Sequence, residues 1–514
     1  HYMHKICSPS RCAIQTGRAP IHVNVQNVEP EVTNPDDPVG GYQGIPLNMS
    51  TVATKLKEGG GYATHFVGKW DIGMATPMHA PQARGYDSWL GYWHHANDYY
   101  TQVISSSGCD ATDLWRVNAT HNGPATELAN GPSCSFRSQT PAEGERCVYE
   151  EALFVDEVVQ IMTDHVATSS TEGGEGVEEQ VQPLFMFYSM HLAHFPLQAP
   201  QEYLDEFAFV DDLERRAMRA MVHYMDHAIG QVVDAAKDLG LWDNMVVVVH
   251  SDNGGEIIFE GTCGGNNWPL RGGKFSNFEG GIRTVGLVSG GYVPESVRGT
   301  KSAALVAGWD WYATYAGFAG VDPSDSEAEA AGLPPPDSID VWPALVGSSA
   351  ATANTTTDTA GRTALVIGDT SALKYNGDGG TLVGGLLYVE PSNGHLYKLL
   401  VGAKSKADIV LQDVTTSPLF PNRSFDSATL APQLHGRVCG RHAMTGCMFD
   451  LTEDPIETRT ISHELANHAL FNTMLGMVQD AEATVFSPDR GSADDGAACA
   501  ATEDHGGYWG PWLL

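Results

Sequence analysis

Cys7-Ser8-Pro9-Ser10-Arg11-Cys12-Ala13-Ile14-Gln15-Thr16-Gly17-Arg18 is the stretch around which the rest of the chain can be ordered. Pro9 fixes φ and suits the first turn of a helix, and Ser8 is a good N-cap, so Cys7 is expected at a helix entrance. Exposed amides at a helix N-terminus favour anions, and Arg11 offers an oxyanion a planar fork of donors. The pattern predicts a thiol-bearing anion site.

Downstream, Ser50 is expected to cap a short helix, Thr51 to Lys57, which Gly59-Gly60-Gly61 ends. Tyr62 to Val67 alternates like a strand and delivers Gly68-Lys69-Trp70-Asp71-Ile72-Gly73 at its C-terminal end, where open α/β sheets bind ligands. The run Gly91-Tyr92-Trp93-His94-His95-Ala96-Asn97-Asp98-Tyr99-Tyr100 is rich in rings and polar tips. It suits sugar recognition, and equally a packed aromatic loop.

Glu151 to Val166 has helical periodicity, and Thr168 to Gln182 is expected to be an exposed polar insertion. Pro183 to Met190 follows as a buried strand that leads into His191-Leu192-Ala193-His194-Phe195-Pro196. Leu213 to Leu239 is helical and stops at Gly240. Met245 to Val249 is a near-continuous apolar run, expected to be a buried parallel strand. At its end His250-Ser251-Asp252-Asn253-Gly254-Gly255 offers hard oxygens for calcium, with magnesium the lesser candidate, or an Asx turn. Lys274 follows among glycines. Thr284 to Ser289 is expected to be another buried strand, and Pro334-Pro335-Pro336 with Gly347 to Gly361 a domain connection and exposed loop. Thr381 to Glu390 and His395 to Val401 form the pattern of antiparallel strands with Pro391 to Gly394 as their turn.

Length and charge narrow the function. A chain of 514 residues is expected to carry two domains, because single cores rarely grow far past about 250 to 300 residues. A formal charge of −34 argues against nucleic acid as a partner. No apolar run is long enough to span a bilayer. An anionic substrate then requires a local cationic cluster, for which Arg11, Lys69, Arg271, Lys274 and Arg283 are the candidates. Setting Cys7 aside leaves eight of nine cysteines able to pair. With the sequons at Asn48, Asn118, Asn354 and Asn422, this favours the secretory pathway, lysosomal or extracellular. His1 stands six residues before Cys7, and the chain reads as a piece whose true start lies upstream.

The motifs running from Cys7-Ser8-Pro9-Ser10-Arg11 through Gly68-Lys69-Trp70, His194-Phe195-Pro196-Leu197-Gln198 and Asp252-Asn253-Gly254 to Gly272-Gly273-Lys274 resemble the type I sulfatases. In these enzymes the cysteine is oxidised to Cα-formylglycine by a formylglycine-generating enzyme. The aromatic loop and the 264–283 segment are most similar to arylsulfatase B. The resemblance implies an α/β, alkaline-phosphatase-like fold: a central, mostly parallel sheet flanked by helices, with a smaller C-terminal domain built on an antiparallel sheet. The expected division is 1–345 and 346–514, and Cys447 to Leu451 resembles the closing strand of the smaller domain.

The implied activity is that of a sulfuric ester hydrolase, arylsulfatase or N-acetylgalactosamine-4-sulfatase-like, acting on a sulfated carbohydrate or aryl sulfate. The hydrated aldehyde at Cys7 would be the nucleophile and His194 would protonate the leaving oxygen. Arg11, Lys69 and Lys274 would hold the sulfate, and Asp252 and Asn253 would bind one calcium ion. His191 keeps a structural reading. Relatives carry histidine where Asp71 stands, and an Asp-Asp pair on a strand upstream of the cysteine. Asp71 either bonds the hydrate, acting as partner or base, or weakens catalysis. A phosphate or phosphonate ester hydrolase of the same superfamily and a catalytically weakened glycan-binding protein are the alternatives.

Overall fold

A computed structural model of the chain describes residues 1–25, 29–139, 142–171, 182–257, 264–347, 361–369, 383–403, 438–491 and 496–513. In chain order, helix α1 (Cys7–Thr16) and α2 (Val52–Gly60) precede strands β1 (Ala63–Lys69), β2 (Ser88–Tyr92), β3 (Trp115–Val117) and β4 (Asn122–Pro124). Then come α3 (Glu150–Thr171), β5 (Leu184–Ser189), α4 (Leu213–Asp238), β6 (Val247–His250), β7 (Gly286–Ser289) and α5 (Asp310–Ala319). The C-terminal part holds β8 (Ala364–Gly368), β9 (Val383–Val389), β10 (Leu396–Leu400), β11 (Cys447–Asp450), α6 (His468–Glu482) and α7 (Ala497–Asp504).

β1 lies between β2 and β5 and runs parallel to both, and antiparallel β3 and β4 extend the sheet in the order β4-β3-β2-β1-β5. Successive side chains of a strand point to opposite faces, so Phe66 and Val67 enter different cores. Phe66 stacks on Phe187, with 5.1 Å between ring centroids, and packs with Cys12 and Ala53 toward α1 and α2. Val67 packs with Leu153, Phe154 and Val158 of α3. Burying side chains of this kind contributes about 1.5 to 3 kcal/mol each, so both faces of the sheet are stabilised by helices.

The second sheet, β8-β9-β10-β11, is antiparallel throughout and packs Phe471, Met474 and Val478 of α6 against its apolar face. One core joins that sheet to Tyr2, Ala13, Ile21, Phe278 and Trp309. Pro334, expected in a connection, is tied down: its carbonyl accepts from Arg18 Nε at 2.6 Å, and Asp337 N and Ser338 N both donate to Gly17 O.

Several local expectations are corrected. Ser8 does not cap α1. The N-cap is Ile6 with extended backbone, and Ser8 Oγ is drawn away to Asp71. Thr51, not Ser50, caps α2, accepting from Thr54 N, and Gly61 ends that helix at φ 68°. The apolar run at β6 is not a buried parallel strand: it pairs antiparallel with β7, which leaves Leu287 62% exposed. An apolar run of this length fits either setting. Helix α3 continues to Thr171, past the start expected for the polar insertion.

Among the described residues three disulfides join Cys109 to Cys499, Cys134 to Cys147 and Cys439 to Cys447. Cys12, counted as pairable, is a free buried thiol inside α1. Cys263, Asn354, Asn422 and most of Gly347 to Gly361 lie outside the described residues. Among those described, no helix is long and apolar enough to cross a membrane.

Candidate active site

Cys7 opens α1, and the chain before it is pinned by Tyr2 N to Val306 O at 2.8 Å and Met3 N to Ile282 O at 2.9 Å. Its thiol is unpaired, only 3% of the residue is exposed, and Sγ lies 3.4 Å from Asn253 Oδ1. Four residues on, Arg11 crosses to the sheet. Nε donates to Asp252 Oδ2 at 3.0 Å, and Nη1 donates to Lys69 O at 3.0 Å and to Ser189 Oγ. This guanidinium ties the ends of β1 and β5 and the turn after β6 to α1. The close approach of β1 to β5 there needs glycine: a Cβ at Gly68, where φ is 98°, would lie 2.0 Å from Ser189 O.

Lys69, the last residue of β1, is 2% exposed, and its Nζ lies 3.2 Å from Asp71 Oδ2. The two charges attract, but neither atom has a well-directed hydrogen-bond partner among the described residues. A buried ammonium with undirected N–H groups is costly unless an acceptor arrives, so Lys69 is set up for an anion. Asp71 takes a left-handed backbone at φ 58°, a region aspartate tolerates better than most residues. Its Oδ1 accepts from Ser8 Oγ at 3.1 Å and from His95 Nδ1 at 2.6 Å. Burial alone would raise its pKa. The charges of His95 and Lys69 and the His95 hydrogen bond outweigh that and hold the carboxyl well below the usual range.

The opposite wall comes from the loop after β6. Asn267 braces it, accepting from Gly255 N at 2.9 Å and donating to Gly255 O at 2.8 Å, while Lys274 N donates to the same carbonyl at 3.0 Å. Lys274 Nζ is thereby placed 2.8 Å from His194 Nε2 and 3.7 Å from Glu256 Oε2. Burial works against the Lys274 charge, but Cys7 and the carboxylates of Glu256, Asp252 and Asp71 prevail and raise its pKa. His194 is pushed the other way, well below the ordinary imidazole value, by burial and then by Lys274 and Lys69. The free site therefore holds a neutral His194 that accepts from Lys274 through Nε2 and donates from Nδ1 to Phe195 O at 3.0 Å.

Cys7, Arg11, Lys69, Asp71, Asp252 and Asn253 form one linked network, and Lys274 and His194 form a second pair, whose Lys274 charge lowers the pKa of Asp252. Arg271 and Arg283 serve elsewhere. Arg271 lies 3.8 Å above the Phe278 ring and donates to Glu457 O, and Arg283 pairs with Glu279. His191 Nδ1 meets Glu150 Oε2 at 2.9 Å, and its ring stacks on Tyr99. The aromatic loop is packed: Trp93, His94 and Tyr99 are fully buried and unavailable to a sugar face. Sequence reasoning missed Ser189 and Glu256 as partners of Arg11 and Lys274, and His95 as the partner of Asp71. The adjacent histidines in that loop were the only signal.

Asp252 and Asn253 suit a hard cation by donor chemistry, but calcium takes six to eight oxygens. Asp252 is shared with Arg11 and Asn253 with Cys7, and the described residues contain no cluster of three metal-ligating side chains. The residues present do not make a cage by themselves.

An unpaired cysteine at a helix entrance, ringed by buried cations at the strand ends, defines a family when set beside known proteins. The chain belongs to the sulfatase family, whose model, described as Sulfatase, matches residues 1–321. It is similar to arylsulfatase J of Mus musculus, 33% identical over 315 residues, covering 61% of this chain and 45% of that protein. It is also similar to N-acetylgalactosamine-6-sulfatase of Sus scrofa, 26% identical over 355 residues, covering 66% of this chain and 57% of the other. The chain thus spans about half the length of these curated relatives. By fold it resembles the crystal structure of Ps i-CgsB in complex with k-i-k-neocarrahexaose, with a TM-score of 0.62 and 19% identity, covering 98% of this chain and 88% of that one.

Proposed function

We propose that this protein hydrolyses sulfate esters on a sulfated carbohydrate or aryl sulfate. The carrying observation is the buried Lys69 ammonium, which has no directed acceptor among the described residues, in a chain of net charge −34. Names of similar proteins add support: arylsulfatase J, N-acetylgalactosamine-6-sulfatase, and a structure described as BT4656 in complex with its substrate D-Glucosamine-2-N, 6-O-disulfate. A 4-sulfated galactosamine is the finer candidate that the arylsulfatase B resemblance brings. Oxidised to formylglycine by a formylglycine-generating enzyme, Cys7 supplies a hydrated aldehyde oxygen as nucleophile.

This chain's own residues do the rest. Arg11, Lys69 and Lys274 hold the sulfate oxygens and stabilise the charge that grows on them. The arriving anion favours the imidazolium form of His194, which takes a proton from water onto Nε2 and then gives that proton to the leaving oxygen. Calcium is the ion the resemblance implies, with Asp252 and Asn253 as two of its ligands. The disulfides and the exposed sequons at Asn48 and Asn118 support passage through the secretory pathway, to a lysosomal or extracellular destination.

The test is expression of the full-length protein in a host with formylglycine-generating activity, mass spectrometry of the Cys7 peptide, and turnover of an aryl sulfate. The aldehyde mass and sulfate release, both lost in Cys7→Ala, are expected. A folded protein with an unmodified thiol and no turnover would overturn the reading.

A further inference from the structure

Asp71 is poorly suited to proton transfer. Its Oδ1 is occupied by Ser8 and His95, its Oδ2 faces the Lys69 ammonium at 3.2 Å, and the carboxylate itself is buried. A carboxylate so engaged orients its neighbours. The neighbour it orients most tightly is His95, whose Nδ1 lies 2.6 Å from Oδ1. An acceptor at that distance holds a proton on Nδ1, so Nε2 is the nitrogen left to gain and lose one. Among the described residues Nε2 has no hydrogen-bond partner, and the side chain keeps 18% of its surface exposed although Asp71 beneath it keeps 4%. One nitrogen is anchored inside the site network and the other is open.

The preceding residue shows the contrast. His94 is clamped at both nitrogens, Nδ1 at 2.8 Å from Asp113 Oδ2 and Nε2 at 3.0 Å from Glu31 Oε1, and is fully buried. It has nothing left to give. His95 has the same chemistry with one clamp removed, one residue along, on the side where Asp71 meets Ser8 next to Cys7.

We propose that His95 is a proton-transfer group of the reaction at Cys7 and that Asp71 is its positioning residue. The inference rests on the sulfatase reading above. In the step, Nε2 takes the proton of a hydroxyl in the pocket. The O–H bond breaks and leaves its electron pair on oxygen, an N–H bond forms on the Nε2 lone pair, and Nδ1–H remains on Asp71. The imidazolium so formed is stabilised by Asp71 and opposed by Lys69 at the end of β1 and by Arg11 on α1. Asp71 also acts on the charges of Asp252 and Lys274 across the site. Water later removes the proton.

The alternative role, neutralising a buried Asp71, is separable by one substitution. In His95→Asn a side-chain N–H still donates to Asp71, but no second nitrogen exists. If His95 were only structural, this variant would keep both activity and pH profile. Proton transfer predicts a loss of at least about 10²-fold in kcat, the lower end for general acid–base catalysis. It also predicts loss of the acidic limb of the pH–kcat profile, with thermal stability unchanged. Asp71→Asn is expected to keep the imidazole but scramble its tautomer, giving an intermediate loss.

A readout independent of turnover is the 15N resonance of His95 in Cys7→Ala protein titrated with inorganic sulfate. An Nδ1–H tautomer and an Nε2 signal that moves on sulfate addition are expected. Wild-type kcat and pH profile in His95→Asn would overturn the proposal. If the unaltered protein turned over no sulfate ester, the sulfatase reading would fall, and an unmoved Nε2 signal would then overturn this proposal separately.

Discussion

Lys398 on β10 is fully buried, and its Nζ lies 2.8 Å from Glu279 Oε1, 2.8 Å from Glu457 Oε1 and 3.1 Å from Asn277 O. Consider Lys398→Met, which keeps the aliphatic stem and removes the charge. At an effective dielectric of about 20, each 2.8 Å contact is worth roughly 6 kcal/mol of gross attraction, most of it offset by desolvation. What the variant exposes is the other side of that balance: two buried carboxylates with no shared cation. Breaking a buried pair this way costs about 3 to 5 kcal/mol.

The pH dependence has a definite sign. Burial pushes Glu457 up to about 7 even with Lys398 present, so its own contribution favours the folded state at low pH and is lost as pH rises through 7. Removing the cation raises that carboxyl further, so the penalty should be larger at pH 8 than at pH 5.5, where protonation relieves it. Denaturant unfolding at the two pH values measures this, and Lys398→Met with Glu457→Gln should recover part of the loss. Glu457 also holds Glu279 N at 2.7 Å and, through its carbonyl, Arg271, so the loop carrying Lys274 should loosen and turnover fall before global unfolding. A variant as stable as the parent at pH 8 would refute the reasoning.

Lys69→Ala and Lys274→Ala should each reduce turnover by roughly 10²-fold or more, the range for losing one preorganised donor. Their denaturation midpoints should stay near the parent's, and unfolding that accounts for the loss would assign both lysines to structure. His94, raised to about 10 because Asp113 and Glu31 outweigh its burial, should contribute stability in full below about pH 6.5 and lose it as pH rises toward 10. Denaturant titrations at pH 7 and 9.5 check this, and His94→Gln should abolish that part of the pH dependence. Arg11→Lys, which loses the fork that joins Asp252 to Lys69 O, should lower activity at least as much as Lys69→Ala, measured on the same aryl sulfate.

Residues contiguous in sequence were readable because turns and strand ends are local: Cys7 with Arg11, Lys69 with Asp71, and Asp252 with Asn253. Their partners were not, because Arg11 meets Ser189 across 178 positions and Lys274 meets His194 across 80, and no local pattern encodes such meetings. Ser8 does not cap α1, because a hydroxyl that caps well also bonds well elsewhere, and here its Oγ donates to Asp71 Oδ1. The aromatic loop was ambiguous for a similar reason: rings that suit a sugar face also fill a core, and Trp93 and Tyr99 fill one. β7 was expected to be buried because composition reports side-chain type, whereas pairing decides which edge and face meet solvent.

The bond between Cys109 and Cys499 closes the backbone across 390 positions, so that segment is a covalent ring, and Cys7, Arg11, Lys69 and Asp71 lie on the chain that enters it. A protease that cuts one peptide bond inside the ring opens the loop without releasing a fragment, and the nicked protein migrates as one species until a reductant is added. Refolding of that nicked form stays intramolecular and independent of concentration. By the loop-entropy relation, a ring this size spares the folded state roughly 6 kcal/mol of chain entropy. Survival in a protease-rich compartment is then decided by thiol chemistry at one bridge as much as by the strength of any packed core.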